Sequence, residues 1–330
     1  MANRLIGGND GRLCRYERMS WITLGLGFVL IVFGAVVRVA GAGMGCGPDW
    51  PDCNGEVVPN LRVVETAIEY THRLIAAGVG LLTVALVLLG RRLRPLDRAF
   101  VVLPAWALGL VVAQSLLGAL TVAVELSPPV VAAHLGMAEA YFAVLIATVV
   151  VVRRVRHPHS PLGVADVPPP VARAALLTAV LVFLVLLSGA YTSTSGAGYA
   201  CPEWPFCAGR FVPTGWTVVD INLTHRWFVV LAAASVGWLA VASRRTLHRG
   251  DPARVLIGII AVLMVVQVLS GAVTVWLRLQ PWASALHLAL ATLTWGVLVT
   301  LLAVERRGVH QRRLSDQPAA SRPVVGRLNL

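Results

Sequence analysis

The chain has 330 residues, of which 57% are hydrophobic and only 13% charged. A soluble domain carries roughly 25% charged residues, so this composition excludes an ordinary soluble fold. Every basic residue behind the net charge of +12 is an arginine, and the arginines cluster between apolar runs rather than in a stripe interleaved with aromatics, which argues against a nucleic-acid partner.

Eight apolar stretches are long enough to cross a bilayer, which needs about 20 residues each. In chain order they cover residues 21–39, 66–90, 100–124, 130–152, 172–192, 219–242, 255–277 and 283–304. The first is too long for a cleavable signal peptide and lacks a small-residue cleavage site, which predicts a retained helix. Arginines precede the first span (Arg4, Arg12, Arg15, Arg18) and follow the second (Arg91, Arg92, Arg94, Arg98) and the fourth (Arg153, Arg154, Arg156). They follow the sixth (Arg244, Arg245, Arg249, Arg254) and the eighth (Arg306, Arg307, Arg312, Arg313), while the alternate loops are arginine-poor. The positive-inside rule then puts both termini in the cytoplasm of a multi-pass plasma-membrane protein, with lipid as its surroundings. The loops 41–65, 125–129, 196–217 and 278–282 face outward.

Residues 157–170 contain Pro158, Pro161 and the run from Pro168 to Pro170, so this segment reads as a cytoplasmic linker between two four-span halves, residues 1–160 and 161–330. The tail after Arg313, with Pro318 and Pro323, reads as disordered. The halves repeat one another. Gly34 through Cys46 aligns with Gly189 through Cys201, Trp50-Pro51 with Trp204-Pro205, and Thr71-His72-Arg73 with Thr224-His225-Arg226. Gln114, Gly118, Ala119, Thr121 and Pro128 match Gln267, Gly271, Ala272, Thr274 and Pro281. Each half has an even number of spans, so both enter the membrane in the same sense. The predicted fold is an all-α membrane protein of eight transmembrane helices, arranged as two parallel-repeat four-helix bundles.

Four histidines fall on one grid. His72 and His134 are 62 residues apart, as are His225 and His287, and the pairs are offset by 153. A single intramembrane histidine is readily explained as a buried group bonded to a carbonyl; four at matched depth in duplicated spans point to ligation. Facing histidines inside a helical bundle hold haem iron, whereas zinc asks for a third or fourth ligand that neither half offers nearby.

Other residues gather on the outer side. Cys46 and Cys53 share the first outer loop, and Cys201 and Cys207 the third. An oxidising compartment predicts a local disulfide in each, serving as a staple or in redox or haem handling. Cys14 reads as a free thiol. Glu69 lies three residues before His72 and on the same helix face, where the second half has Asn222. It reads as a general base or as a first-turn acid favoured by the helix dipole. Arg38, Arg73, Arg226 and Arg278, near outer span ends, are candidates for binding haem propionates or for interfacial snorkelling. Gln114 and Gln267 read as glue between helices.

Eight spans in two halves, the four histidines, the Glu69-x-x-His72 pair and the two outer cysteine loops with Trp-Pro inside them together resemble the haem A synthase family over about residues 20–305. The resemblance implies oxidation of one ring methyl of haem O to a formyl group, in the service of cytochrome oxidase assembly. It implies Glu69 as catalytic carboxylate, His72 and His134 on the substrate haem in the first half, and His225 and His287 on a haem b cofactor in the second. It pairs Cys46 with Cys53 and Cys201 with Cys207. Haem O synthase and oxidase assembly factors become expected partners, and a homo-oligomer an expected state. Two axial histidines leave no open iron position, so methyl oxidation by electron removal, with water as nucleophile, fits better than oxygen activation at that iron. The competing reading is a di-haem b electron carrier, such as a quinol-linked cytochrome, with no reaction of its own; a parallel-repeat transporter is a third.

Overall fold

The structure, a computed structural model, describes residues 2–48, 50–157 and 167–315, with side chains between residues 9 and 304. Eight helices run in order: α1 (Ala2–Val39), α2 (Val64–Leu93), α3 (Ala99–Ala123), α4 (Pro128–Arg156), α5 (Pro169–Thr194), α6 (Val218–Thr246), α7 (Pro252–Trp276) and α8 (Pro281–Ser315). All eight are long and apolar enough to cross a membrane. No strand forms among the described residues; Cys53 with Glu56 and Cys207 with Arg210 make isolated bridges. Most of the segment read as a linker, residues 158–166, and the tail beyond Ser315 lie outside the described residues.

Local chemistry sets the helix boundaries. Proline opens α4, α5 and α7 at the first turn, where its missing N–H would have no partner. A capping box starts α6: Thr217 and Asp220 exchange hydrogen bonds between side chain and backbone. Inside α3, Pro104 cannot donate to the carbonyl of Phe100, and the buried Tyr16 hydroxyl donates to that oxygen instead at 3.4 Å. One helix breaker thereby ties α3 to α1.

The contacts form two rings. In the first, α1 packs on α2, α2 on α3, α3 on α4, and α4 on α1; the second repeats this with α5 through α8. The rings join where α4 meets α5 and α8, and where α1 meets α8. α4 is the most buried helix, and α3 the least. Phe142 and Ile146 of α4 and Ile31 of α1 share one core with Leu186, Leu239, Ile257 and Leu298 of the second ring. At the arginine-rich ends, Glu17 of α1 accepts from Arg156 of α4 at 2.6 Å, and Arg154 donates to Ala303 O of α8 at 3.0 Å.

Candidate functional site

The segments joining α1 to α2 and α5 to α6 fold alike. Each opens on a glycine with positive φ, Gly41 at 68° and Gly196 at 75°, a conformation that L side chains rarely adopt. A short 3-10 turn follows, Ala42–Met44 or Ala197–Ala200. Each segment then carries a cis proline, Pro51 or Pro205, and a disulfide, Cys46–Cys53 or Cys201–Cys207. The turns from α3 to α4 and from α7 to α8 each place two consecutive residues at positive φ, Glu125-Leu126 and Arg278-Leu279. Leu126 and Leu279 lie so close over Gly43 and Gly198 that a Cβ there would stand 3.0 and 2.7 Å from the leucine methyls. The Gly-Ala-Gly repeats are thereby accounted for: the first glycine makes the turn and the second admits the neighbouring loop.

Beneath these caps stand the histidines. Within each ring α2 and α4, or α6 and α8, are diagonal partners, since each packs on the odd helices beside it. His72 faces His134 across the first ring, and His225 faces His287 across the second, each pair within electrostatic reach. All four rings lean on a glycine of the preceding odd helix. A Cβ on Gly34 would come within 3.4 Å of His72 Cε1, and on Gly118 within 3.3 Å of His134 Cε1. On Gly189 and Gly271 the distances to His225 and His287 Cε1 fall to 3.1 and 3.0 Å. The four hollows seat four imidazoles at equivalent places.

Around the rings the halves differ. Ser188 Oγ lies 3.0 Å from His225 Nδ1, and Ser270 Oγ lies 2.8 Å from His287 Nδ1. In the first half Phe33 and Leu117 stand where the second has the serines; the Phe33 ring stacks on His72, and Nδ1 of both His72 and His134 is buried without a partner. Gln114 Nε2 donates to His134 O at 3.0 Å, and Gln267 Nε2 lies 3.4 Å from His287 Nε2. Both glutamines thus bridge helices, the second reaching a candidate ligand directly.

Glu69 is buried and fully engaged. Oε2 accepts from the backbone N–H of Cys46 at 2.9 Å, and Oε1 pairs with Arg73 at 2.6 Å. Arg73 reaches on to Asp52 O at 2.9 Å, so the carboxylate, the arginine and the disulfide loop form one assembly. The second half rebuilds it with a neutral amide: Asn222 Nδ2 donates to Ala197 O at 2.9 Å, and Arg226 Nε donates to Asn222 Oδ1 at 2.8 Å. Arg226 also holds Pro205 O and Phe206 O. Arg38 spans the two halves, donating to Ser193 O at 3.0 Å, while Arg278 is exposed in its turn. Three of the four candidate propionate arginines therefore already bind backbone carbonyls. Cys14 is a free, exposed thiol. Among the described residues no group of three His, Cys, Asp or Glu gathers as a metal cluster.

Residues 17–299 match the family described as cytochrome oxidase assembly protein. Haem A synthase of Symbiobacterium thermophilum is 32% identical over 271 residues, covering 81% of this chain and 88% of that one. The haem A synthases of Shouchella clausii and Geobacillus thermodenitrificans are each 30% identical, over 87% and 92% of this chain and 91% and 97% of their own.

The chain belongs to the haem A synthase family.

Spacing singled out the histidines, the cysteines and Glu69, which the fold gathers at the same end of the helices, but not the hollows that the odd-helix glycines make or the serines beside them. Their signal is present: Gly34 and Gly189 lie at matching places of the repeat, as do Gly118 and Gly271, and Ser188 and Ser270 each precede one of them.

Proposed function

We propose that this protein is a haem A synthase of the plasma membrane, with both termini cytoplasmic, that oxidises a ring methyl of haem O to a formyl group by two successive hydroxylations. The single observation that carries the reading is the fourfold histidine-on-glycine arrangement across two diagonal helix pairs. Each hollow holds one imidazole of a facing pair, an arrangement that suits iron ligation by two histidines, and the unpartnered Nδ1 atoms of His72 and His134 leave the first pair less constrained than the second. In this reading residues 1–160 bind haem O through His72 and His134, and residues 161–330 hold haem b through His225 and His287. A bound haem b supplies one-electron redox chemistry.

The residues divide the remaining work. Each hydroxylation takes up one water, releases two protons and gives up two electrons to an external electron acceptor; the second gives a gem-diol that loses water to the aldehyde. Glu69, on the His72 face of α2, is the base that receives protons. Arg73 and the Cys46 N–H orient its carboxylate. Asn222 cannot serve as a base, which supports giving catalysis to the first half alone. The substrate's source and the product's use imply haem O synthase and oxidase assembly factors as partners.

One observation favours the electron-carrier reading: both oxygens of Glu69 are engaged, as in a structural strut. Replacement of Glu69 by Gln separates the two. The amide keeps size and one acceptor but cannot take a proton. If Glu69 is the base, Glu69→Gln leaves the second-half haem spectrum intact while haem O or its alcohol accumulates, and Asn222→Ala is much milder. Chromatography of haems extracted from cells carrying each variant measures the ratio. Normal haem A from Glu69→Gln would return Glu69 to the strut role.

A further inference from the structure

The serines beside His225 and His287 fix which ring nitrogen carries the proton. A serine hydroxyl has one hydrogen. Ser188 Oγ gives its hydrogen to Val185 O at 3.1 Å, and Ser270 Oγ gives its own to Gln267 O at 2.9 Å. Each oxygen therefore meets its histidine with lone pairs only, and the contacts at 3.0 and 2.8 Å are Nδ1–H donating to Oγ. With Nδ1 protonated, Nε2 of a neutral imidazole is the bare nitrogen. The amide of Gln267, a donor 3.4 Å from His287 Nε2, agrees with that tautomer. Both second-half rings are thus oriented and have the metal-binding lone pair on a fixed atom.

His72 and His134 have nothing equivalent. Phe33 and Leu117, the residues in the serine positions, offer no acceptor, and Nδ1 of both rings is buried and unpartnered. Those rings can exchange tautomers without breaking a hydrogen bond at Nδ1. An acceptor hydrogen-bonded to the nitrogen away from the metal locks a ligating imidazole and makes it a stronger donor.

We propose that Ser188 and Ser270 are positioning residues that make the second half the permanent haem site, and that their replacement by Phe33 and Leu117 makes the first half an exchangeable one. This rests on the haem-ligating reading of the four histidines and deepens it. It gives a physical reason why two sites of one ancestry serve as cofactor site and substrate site.

The test uses the full-length protein in lipid nanodiscs, loaded with haem b, with release to apomyoglobin as the kinetic readout. In Ser188→Ala/Ser270→Ala, haem should leave the second half about 10- to 100-fold faster, matching the loss of affinity when a ligating histidine loses the hydrogen bond on its other nitrogen. Its midpoint potential should rise, because a weaker donor favours the oxidised iron less. The converse variant, Leu117→Ser, places a hydroxyl where Ser270 stands relative to its histidine. It should slow release from the first half by about 10-fold. Unchanged release and potential in the double alanine variant would overturn the proposal, and so would a Leu117→Ser protein that releases first-half haem as fast as the parent. Failure of the underlying reading looks different: the unaltered protein would then show no bis-histidine spectrum on loading.

Discussion

Glu139 and Thr292 occupy equivalent places in the two halves and hydrogen-bond to each other. Thr292 Oγ1 donates to Glu139 Oε1 at 2.6 Å, where α4 crosses α8. Glu139 is fully buried and its Oε2 has no partner, while Trp295 Nε1 donates to its backbone oxygen at 3.0 Å. Thr292→Val keeps the shape but removes the donor, so it should destabilise the protein by about 1–3 kcal/mol. Glu139→Gln keeps an acceptor for Thr292 and should cost less. Unfolding in mixed micelles, followed by circular dichroism, ranks the two; equal stability of Thr292→Val and the parent would show that the contact contributes nothing.

His225→Ala and His287→Ala should each remove the bis-histidine spectrum from the purified protein, because one imidazole cannot complete the pair. His72→Ala and His134→Ala should leave that spectrum in place and reduce retention of haem O. The check is the visible spectrum of protein purified from cells, beside its extracted haem. A second-half variant with the parent spectrum would assign the ligands elsewhere.

The glycine hollows make a prediction in which stability and binding move apart. Gly→Ala within a helix stabilises by roughly 0.5–1 kcal/mol when nothing obstructs it. At Gly271 the new methyl would stand 3.0 Å from His287 Cε1, forcing the ring to shift. Gly271→Ala should therefore keep its helix content and lose haem several-fold. Parent-level haem occupancy in this variant would mean that the hollow does not set the ring position.

The two disulfides should have unequal consequences. Cys46→Ser/Cys53→Ser frees a short loop, at a cost of roughly 2 kcal/mol, and loosens the Cys46 N–H that holds Glu69. Aldehyde formation should fall while the second-half spectrum persists. Cys201→Ser/Cys207→Ser loosens the loop around Asn222 and should spare the Glu69 assembly. Extracted haem ratios from both double variants decide it, and equal losses would refute this division of labour.

What the sequence made legible follows from what repeats in one dimension. Apolar length marks the eight helices, and the histidine grid marks the two facing pairs of imidazoles, since both are spacings along the chain. Partnerships between halves are invisible at that level. Nothing around Glu139 announces Thr292, and nothing around Arg38 announces the carbonyls of Ser193 and Thr194. Ser188 and Ser270 stand out only once the rings they meet, each contributed by the next helix, are in place. The arginines were visible as charges near span ends, but the backbone carbonyls that occupy Arg73 and Arg226 lie in loops whose path only the fold defines.

The contact of α1 with α8 also constrains the order of assembly. The part of the first helix that packs on the last stays uncovered until the last is made. Until α8 is inserted, Glu139 of α4 stands without Thr292 and Trp295, a carboxyl facing lipid or transient neighbours, which is costly in a bilayer. A nascent chain stopped short of α8 thus carries a polar flaw at the centre of its membrane domain, the kind of defect by which quality control can tell an unfinished chain from a finished one.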